Sequence, residues 1–248
     1  MKKTLTLISI ITLISFYAKA QDNTDTKVYV KSYLALIGGF SNPMGDFSKK
    51  TYDNNKAGFA KRGATFGLEG AYYFYKNLGF GAIVSFQDQG ELTIPDVQLL
   101  ADGYNKILKV NSTLVQGVNR YHNLNFMGGP QYSFAYGKLI LDVRADAGLI
   151  KSSSTPELTI YVSGANNGQQ TIIQNSSKGS AFAYGGNAAL RFEFAEGWDI
   201  GLRFNYVKSD GINISTTGDI SALGGTGRLV TKQPISELQT TFGIGVHF

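Results

Sequence analysis

The run Glu237-Leu-Gln-Thr-Thr-Phe-Gly-Ile-Gly-Val-His-Phe248 decides how the chain is read. Side chains alternate between the two faces of a strand. Phe242, Ile244, Val246 and Phe248 therefore share one face, and Thr241, Gly243, Gly245 and His247 the other. One face seeks oil and the other tolerates water. The terminus of a soluble domain ordinarily frays in polar residues, whereas this alternation runs to the final Phe248. The expectation is a strand with lipid on one side.

The same period of two recurs upstream. Trp198, Ile200, Leu202, Phe204 and Tyr206 alternate with Asp199, Gly201, Arg203 and Asn205; Leu139, Leu141, Val143, Ala145 and Ala147 alternate with Ile140, Asp142, Arg144 and Asp146. Phe182 to Phe194 behaves alike, as do, less cleanly, Ala64 to Tyr75, Leu78 to Gln87 and Leu124 to Tyr136. The stretch Val28 to Phe40 is ambiguous, because Tyr33 and Ile37 fall on its polar side. With the closing run this makes about eight strands, each near the ~9–11 residues that cross a bilayer.

The connections separate a membrane barrel from a soluble one. Strands meet in short turns at Lys76-Asn77, Gly137-Lys138 and Glu196-Gly197, while 41–61, 88–120, 151–180 and 208–235 are long. Short and long alternate strictly, as they do when one end faces the periplasm and the other the outside. The predicted fold is all-β: an eight-stranded antiparallel up-and-down transmembrane β-barrel with short periplasmic turns and long extracellular loops. Phe74, Phe80, Phe134, Tyr136, Phe194 and Trp198 lie near the short turns, and amphipathic rings favour the membrane–water boundary. They are read as a periplasmic aromatic girdle.

Export explains the start of the chain. Met1-Lys2-Lys3 is basic, Leu5 to Tyr17 is mostly apolar, and Ala18-Lys19-Ala20 has the small-x-small form of a cleavage site. Residues 1–20 are read as a cleaved signal peptide, 21–27 as a short periplasmic segment and 28–248 as the barrel. Without Lys2, Lys3 and Lys19, 20 basic residues stand against 18 acids, so the mature chain is nearly neutral. The basic isoelectric point is thus no nucleic-acid footprint. The absence of cysteine excludes disulfides and thiol chemistry.

Two loops carry their own patterns. Residues 157–163 and 169–175 flank Gly164-Ala-Asn-Asn-Gly168 and read as a hairpin above the membrane. Val97, Leu100, Ala101, Tyr104 and Leu108 have helical spacing after Pro95-Asp96, against which Gly103 counts. Gly218 to Arg228 reads as a flexible loop tip without the Gly-Lys-Ser/Thr of a phosphate loop.

The inner face collects Glu69, Asp142, Arg144, Asp146, Arg191, Glu193, Asp199, Arg203 and Glu237. Side chains fill a barrel of this size, so these charges are expected to interlock as a lumen polar network; a narrow ion path is the competing reading. His122 is read as interfacial and His247 as a lumen hydrogen-bonder. Neither has a Ser or acid spacing that builds a reaction centre, and no catalytic, cofactor or metal site is expected.

Gly38-Gly-Phe-Ser-Asn-Pro-Met-Gly-Asp-Phe47 and Gly128-Gly-Pro-Gln-Tyr-Ser-Phe-Ala-Tyr-Gly-Lys138, with the alternating aromatic ending, resemble the small outer-membrane β-barrel proteins of Bacteroidetes. That PorT-like group shares the architecture of OmpX/OmpA-type barrels. The resemblance covers about residues 28–248. It implies an outer-membrane location among lipid and insertion by the barrel assembly machinery, with Phe242, Ile244, Val246 and Phe248 as the assembly signal. It implies no shared reaction and no cofactor. The expected role is structural or interactive, the loops meeting an envelope protein partner; a porin-like channel and a lipid-modifying enzyme are the alternatives.

Overall fold

A computed structural model describes residues 29–110, 112–165, 168–220 and 225–248. The proposed signal peptide, the 21–27 segment and Val28 lie outside the described residues. Among those described, eight strands close into an antiparallel barrel: β1 (Tyr33–Pro43), β2 (Gly63–Tyr75), β3 (Leu78–Gln89), β5 (Tyr121–Tyr136), β6 (Leu139–Ser154), β9 (Gly179–Ala195), β10 (Trp198–Ser209) and β13 (Ser236–His247). Chain neighbours pair throughout, and β1 closes the ring on β13 from Tyr33↔His247 to Pro43↔Glu237. The fold is a transmembrane β-barrel. No helix among the described residues is long and apolar enough to cross a membrane.

Alternation explains both surfaces. Leu34, Leu36, Phe66, Leu68, Leu141, Val143, Leu190, Phe204, Phe242 and Ile244 are exposed on the outside, an apolar exterior that only lipid can cover. Their neighbours point inward and are buried. The short turns use left-handed backbone, at Lys76 (φ 51°), Gly137 (φ 58°) and Gly197 (φ 76°).

The first strand corrects the sequence reading. It runs to Pro43, and its inner face carries the buried apolar Tyr33, Ala35 and Ile37. The lumen is therefore mixed in polarity. Pro43 fits because β2 pairs β1 only up to Ser41, so the missing N–H of proline interrupts no ladder there. Aromatics are likewise not confined to the turn end: Phe40, Phe66, Phe182 and Tyr206 are exposed towards the long connections. The belt has two rims.

The long connections build a second layer. The second contains a helix, α1 (Ile94–Leu108), and β4 (Ser112–Val118); the third folds as the hairpin β7 (Glu157–Ala165) and β8 (Gly168–Gln174); the fourth as β11 (Ile212–Ile220) and β12 (Gly225–Gln233). Among the described residues these strands form one sheet in the order β12-β11-β8-β7-β4. Strand β4 had no counterpart in the sequence reading. The glycine-rich 218–228 segment, read as a loop tip, instead supplies the paired ends of β11 and β12, with Gly218 opposite Gly227; residues 221–224 lie outside the description.

Helix α1 packs on the inner face of this sheet. Leu100 and Ala101 join Val115, Leu158, Ile160, Val162, Ile172 and Phe59 in an apolar core separate from the barrel. Gly103 is the contact point: a Cβ there would collide with the Tyr52 ring. The glycine that weakens the helix by propensity is what lets the first loop dock on it.

Candidate functional site

Side chains occupy the lumen in three tiers. In the lower tier Asp142, Arg144 and Asp146 sit at alternate positions of β6 and face the same interior. Arg191 Nε donates to Asp142 Oδ2 at 2.6 Å and its Nη1 to Asp199 Oδ2 at 2.8 Å. Arg144 Nε donates to Asp146 Oδ1 at 2.7 Å and its Nη1 to Glu69 Oε1 at 3.1 Å. Arg203 Nε lies 2.8 Å from Glu69 Oε2, close as charges but outside hydrogen-bond alignment. The two clusters are stitched together by Gln131, whose Nε2 donates to Tyr73 Oη at 2.8 Å and to Tyr33 Oη at 3.4 Å. The Arg191 guanidinium also stacks 3.8 Å over the Tyr33 ring.

Small residues make room for these large ones. A Cβ on Gly243 would strike Arg203, one on Gly245 would lie 2.9 Å from Asp199 Oδ1, and one on Gly81 would strike Gln131 and sit 2.8 Å from Arg144. The glycines of the Phe242-Gly-Ile-Gly-Val stretch are thus the seats of the lumen charges. Desolvation makes each charge costly alone, and mutual pairing offsets that cost.

The middle tier is neutral around one carboxylate. Glu237 accepts hydrogen bonds from Ser41 Oγ at 2.6 Å, Asn125 Nδ2 at 2.7 Å, Gln239 Nε2 at 2.8 Å and Gln89 Nε2 at 3.0 Å. It has no cation within ion-pair distance among the described residues. Its place is therefore apart from the ion-pair network. Glu193 departs further: it is half-exposed at the turn end, with no ion pair among the described residues. His247 Nε2 finds no hydrogen-bond partner among them either, which corrects its reading as a lumen hydrogen-bonder. His122 faces outward, its Nε2 3.5 Å from Asp88 Oδ1 and its ring beside Phe86.

The upper tier is an apolar stopper that sequence reasoning missed. The first long loop turns through a 3₁₀ turn (Gly45–Ser48) and drives Phe47 into the barrel mouth. Phe47 is wholly buried, edge-on to Tyr121 at 4.8 Å, with Ala60, Ile150, Ile212 and Ile235 in the same cluster. Backbone bonds Gly58 N to Asp46 O (2.9 Å) and Ala60 N to Phe47 O (3.0 Å) fold the loop on itself. Tyr121 Oη donates to Gly58 O at 3.0 Å and Gln233 Nε2 to Lys56 O at 2.8 Å, fixing it to the barrel and the sheet.

Asp96 ties the loop to α1. It closes the capping box of the helix, accepting from Thr93 N at 2.9 Å and Thr93 Oγ1 at 2.6 Å. Lys50 Nζ lies 2.9 Å and Lys61 Nζ 2.5 Å from its two oxygens, and both lysines belong to the first loop. Burial opposes ionisation of this carboxyl, but the bonds from Lys61, Thr93 and Lys50 outweigh it and hold Asp96 well below the usual carboxylate range. The stopper is thus latched from outside the membrane.

Leu114, Val118, Leu229 and Val230 are exposed on the two edge strands β4 and β12. Each edge strand pairs on one side only among the described residues.

The architecture defines a class, the small transmembrane barrel with an elaborated outer end. Solved structures similar to it include Ail, the attachment invasion locus protein of Yersinia pestis (12% identity, 89% of this chain and 100% of that one, TM-score 0.44). A major outer membrane protein of Thermus thermophilus is also similar (11% identity, 88% and 98%, TM-score 0.43). So is Neisserial surface protein A (9% identity, 89% and 99%, TM-score 0.42). No family model and no curated protein matches the chain.

Proposed function

We propose that this chain is a non-enzymatic outer-membrane protein of the Bacteroidetes PorT-like kind, whose barrel anchors an extracellular binding module. The observation that carries the reading is the division of labour between the two layers. The barrel interior is filled by ion pairs and sealed by Phe47, while three of the long connections combine into a sheet with two open edges. An open edge offers main-chain donors and acceptors to an added strand. The partner is a protein of the cell envelope or of another cell.

The reading is tested by crosslinking in intact cells. The full chain is compared with a variant in which residues 158–173 are replaced by a short Gly-Ser linker, which removes the centre of the sheet and leaves the barrel strands. The expected result is a crosslinked partner with the full chain and none with the variant. Equal recovery from both would contradict the proposal. Unchanged lipid A and phospholipid profiles on overexpression are expected; a modified lipid would favour an enzyme.

A further inference from the structure

A half-enclosed cavity of about 110 Å³ lies between the first loop, α1 and the inner side of the extracellular sheet. It does not touch the lumen charges, and it meets the edge strand β12 only at Thr231 and Gln233. No residue lining it is charged, so an ionic ligand would lose its hydration without gaining a counter-charge. The walls supply aromatic surface from Tyr52, Tyr104 and Phe59, with Leu100 beside them. Tyr52 is held in place by its packing on Gly103.

Two amide side chains contribute the polar specificity. Gln233 spends its Nε2 on Lys56 O and Pro234 O, at 2.8 and 3.2 Å, and Gln174 spends its Nε2 on Pro156 O at 3.4 Å. Their carbonyl oxygens are left as acceptors without a protein donor among the described residues. The Tyr52 and Tyr104 hydroxyls have no hydrogen-bond partner there either. Free acceptors require a ligand that donates, and aromatic walls require one with a flat apolar face. For scale, an apolar cavity of about 150 Å³ holds a benzene ring; at about 110 Å³ this one encloses only part of a six-membered ring, and its open side leaves the rest of the ring to solvent.

We infer that this cavity binds one uncharged, hydroxyl-bearing six-membered ring of the neutral hexose class, free or as the end unit of a glycan. The inference rests on the reading of the extracellular layer as a binding module. The ring stacks on the tyrosines and donates hydroxyl hydrogens to Gln174 and Gln233.

The test is saturation-transfer NMR on the full chain in lauryldimethylamine oxide micelles, which carry no sugar headgroup. The probes are D-glucose, D-galactose, their methyl glycosides, phenol and choline. Transfer to a hexose is expected, with affinity falling about tenfold in Gln174→Leu, the worth of one hydrogen bond. The variant Tyr104→Phe should weaken binding while keeping the stacking surface. Binding of the methyl glycosides would support a glycan end, and binding of the free sugars alone would support a free sugar. Absence of hexose transfer from protein that still migrates as a compact unboiled band would overturn the inference. Transfer only to phenol or only to choline would overturn the ligand class, and hexose binding unchanged in both variants would overturn the location. Partner crosslinking is read in cells without added sugar, so its outcome stands apart from this one.

Discussion

Glu69 holds two arginines at once: Arg144 Nη1 at 3.1 Å on one oxygen and Arg203 Nε at 2.8 Å on the other, all three side chains buried. Arg144 has a second acid in Asp146, whereas Arg203 has no other acid within ion-pair distance among the described residues. The expected consequence is asymmetric. Glu69→Gln strands a buried guanidinium and should destabilise the barrel by about 3–5 kcal/mol. Asp199→Asn leaves Arg191 its bonds to Asp142 and should cost clearly less. Urea unfolding in detergent, followed by loss of the compact gel band, measures both; equal costs would show that the two clusters are not distinct.

Phe47 fills the mouth above these charges. Phe47→Ala should lower stability by about 3–5 kcal/mol, the usual range for an aromatic cavity. It should open no current, because the Glu237 tier and the arginine tier remain beneath it. Channel openings in this variant would identify Phe47 as a gate.

The Asp96 latch has a defined dependence on pH. Its folded pKa is depressed, so its stabilising contribution is complete above the unfolded value of about 3.9 and is lost as pH falls through the folded value. Limited proteolysis of residues 44–62 should therefore be unchanged between about pH 7 and 5 and rise only in stronger acid. Asp96→Asn should expose the loop to protease at neutral pH. A wild-type transition near pH 6 would contradict the latch.

Gly243 tests the seating of the lumen charges. A Cβ there meets the Arg203 guanidinium and approaches the Leu36 carbonyl to 2.8 Å, a backbone contact that cannot swing away. Gly243→Val should reduce the folded fraction sharply. The outward substitution Ile244→Val, which alters only the lipid face, should leave it near wild type. Equal folding of the two would refute the seat.

The sequence made the barrel legible because its outer face is bathed in lipid. Leu141, Val143 and Leu202 had to alternate with Asp142, Arg144 and Arg203, and that period survives without any knowledge of partners. The helix over α1 and the hairpin of β7 and β8 were legible for the same local reasons. What stayed hidden depends on distant contacts. Phe47 lies in a Gly-Asp-Phe-Ser turn with no periodicity, and its burial is decided by Tyr121, Ile150, Ile212 and Ile235 from other elements. Strand β4 and the paired ends of β11 and β12 form only because three loops converge. Glu237 pairs with Val207, four residues along β10 from Arg203, so its separation from the arginines is one of level along the barrel, which alternation within one strand does not encode.

The central claim is a barrel filled and sealed so that the outer sheet, not the lumen, meets the surroundings. Single-channel recording of the purified full chain in planar bilayers tests it most directly. The account predicts a silent membrane, with no steps above baseline in the wild-type protein. Stable, reproducible conductance steps would contradict it.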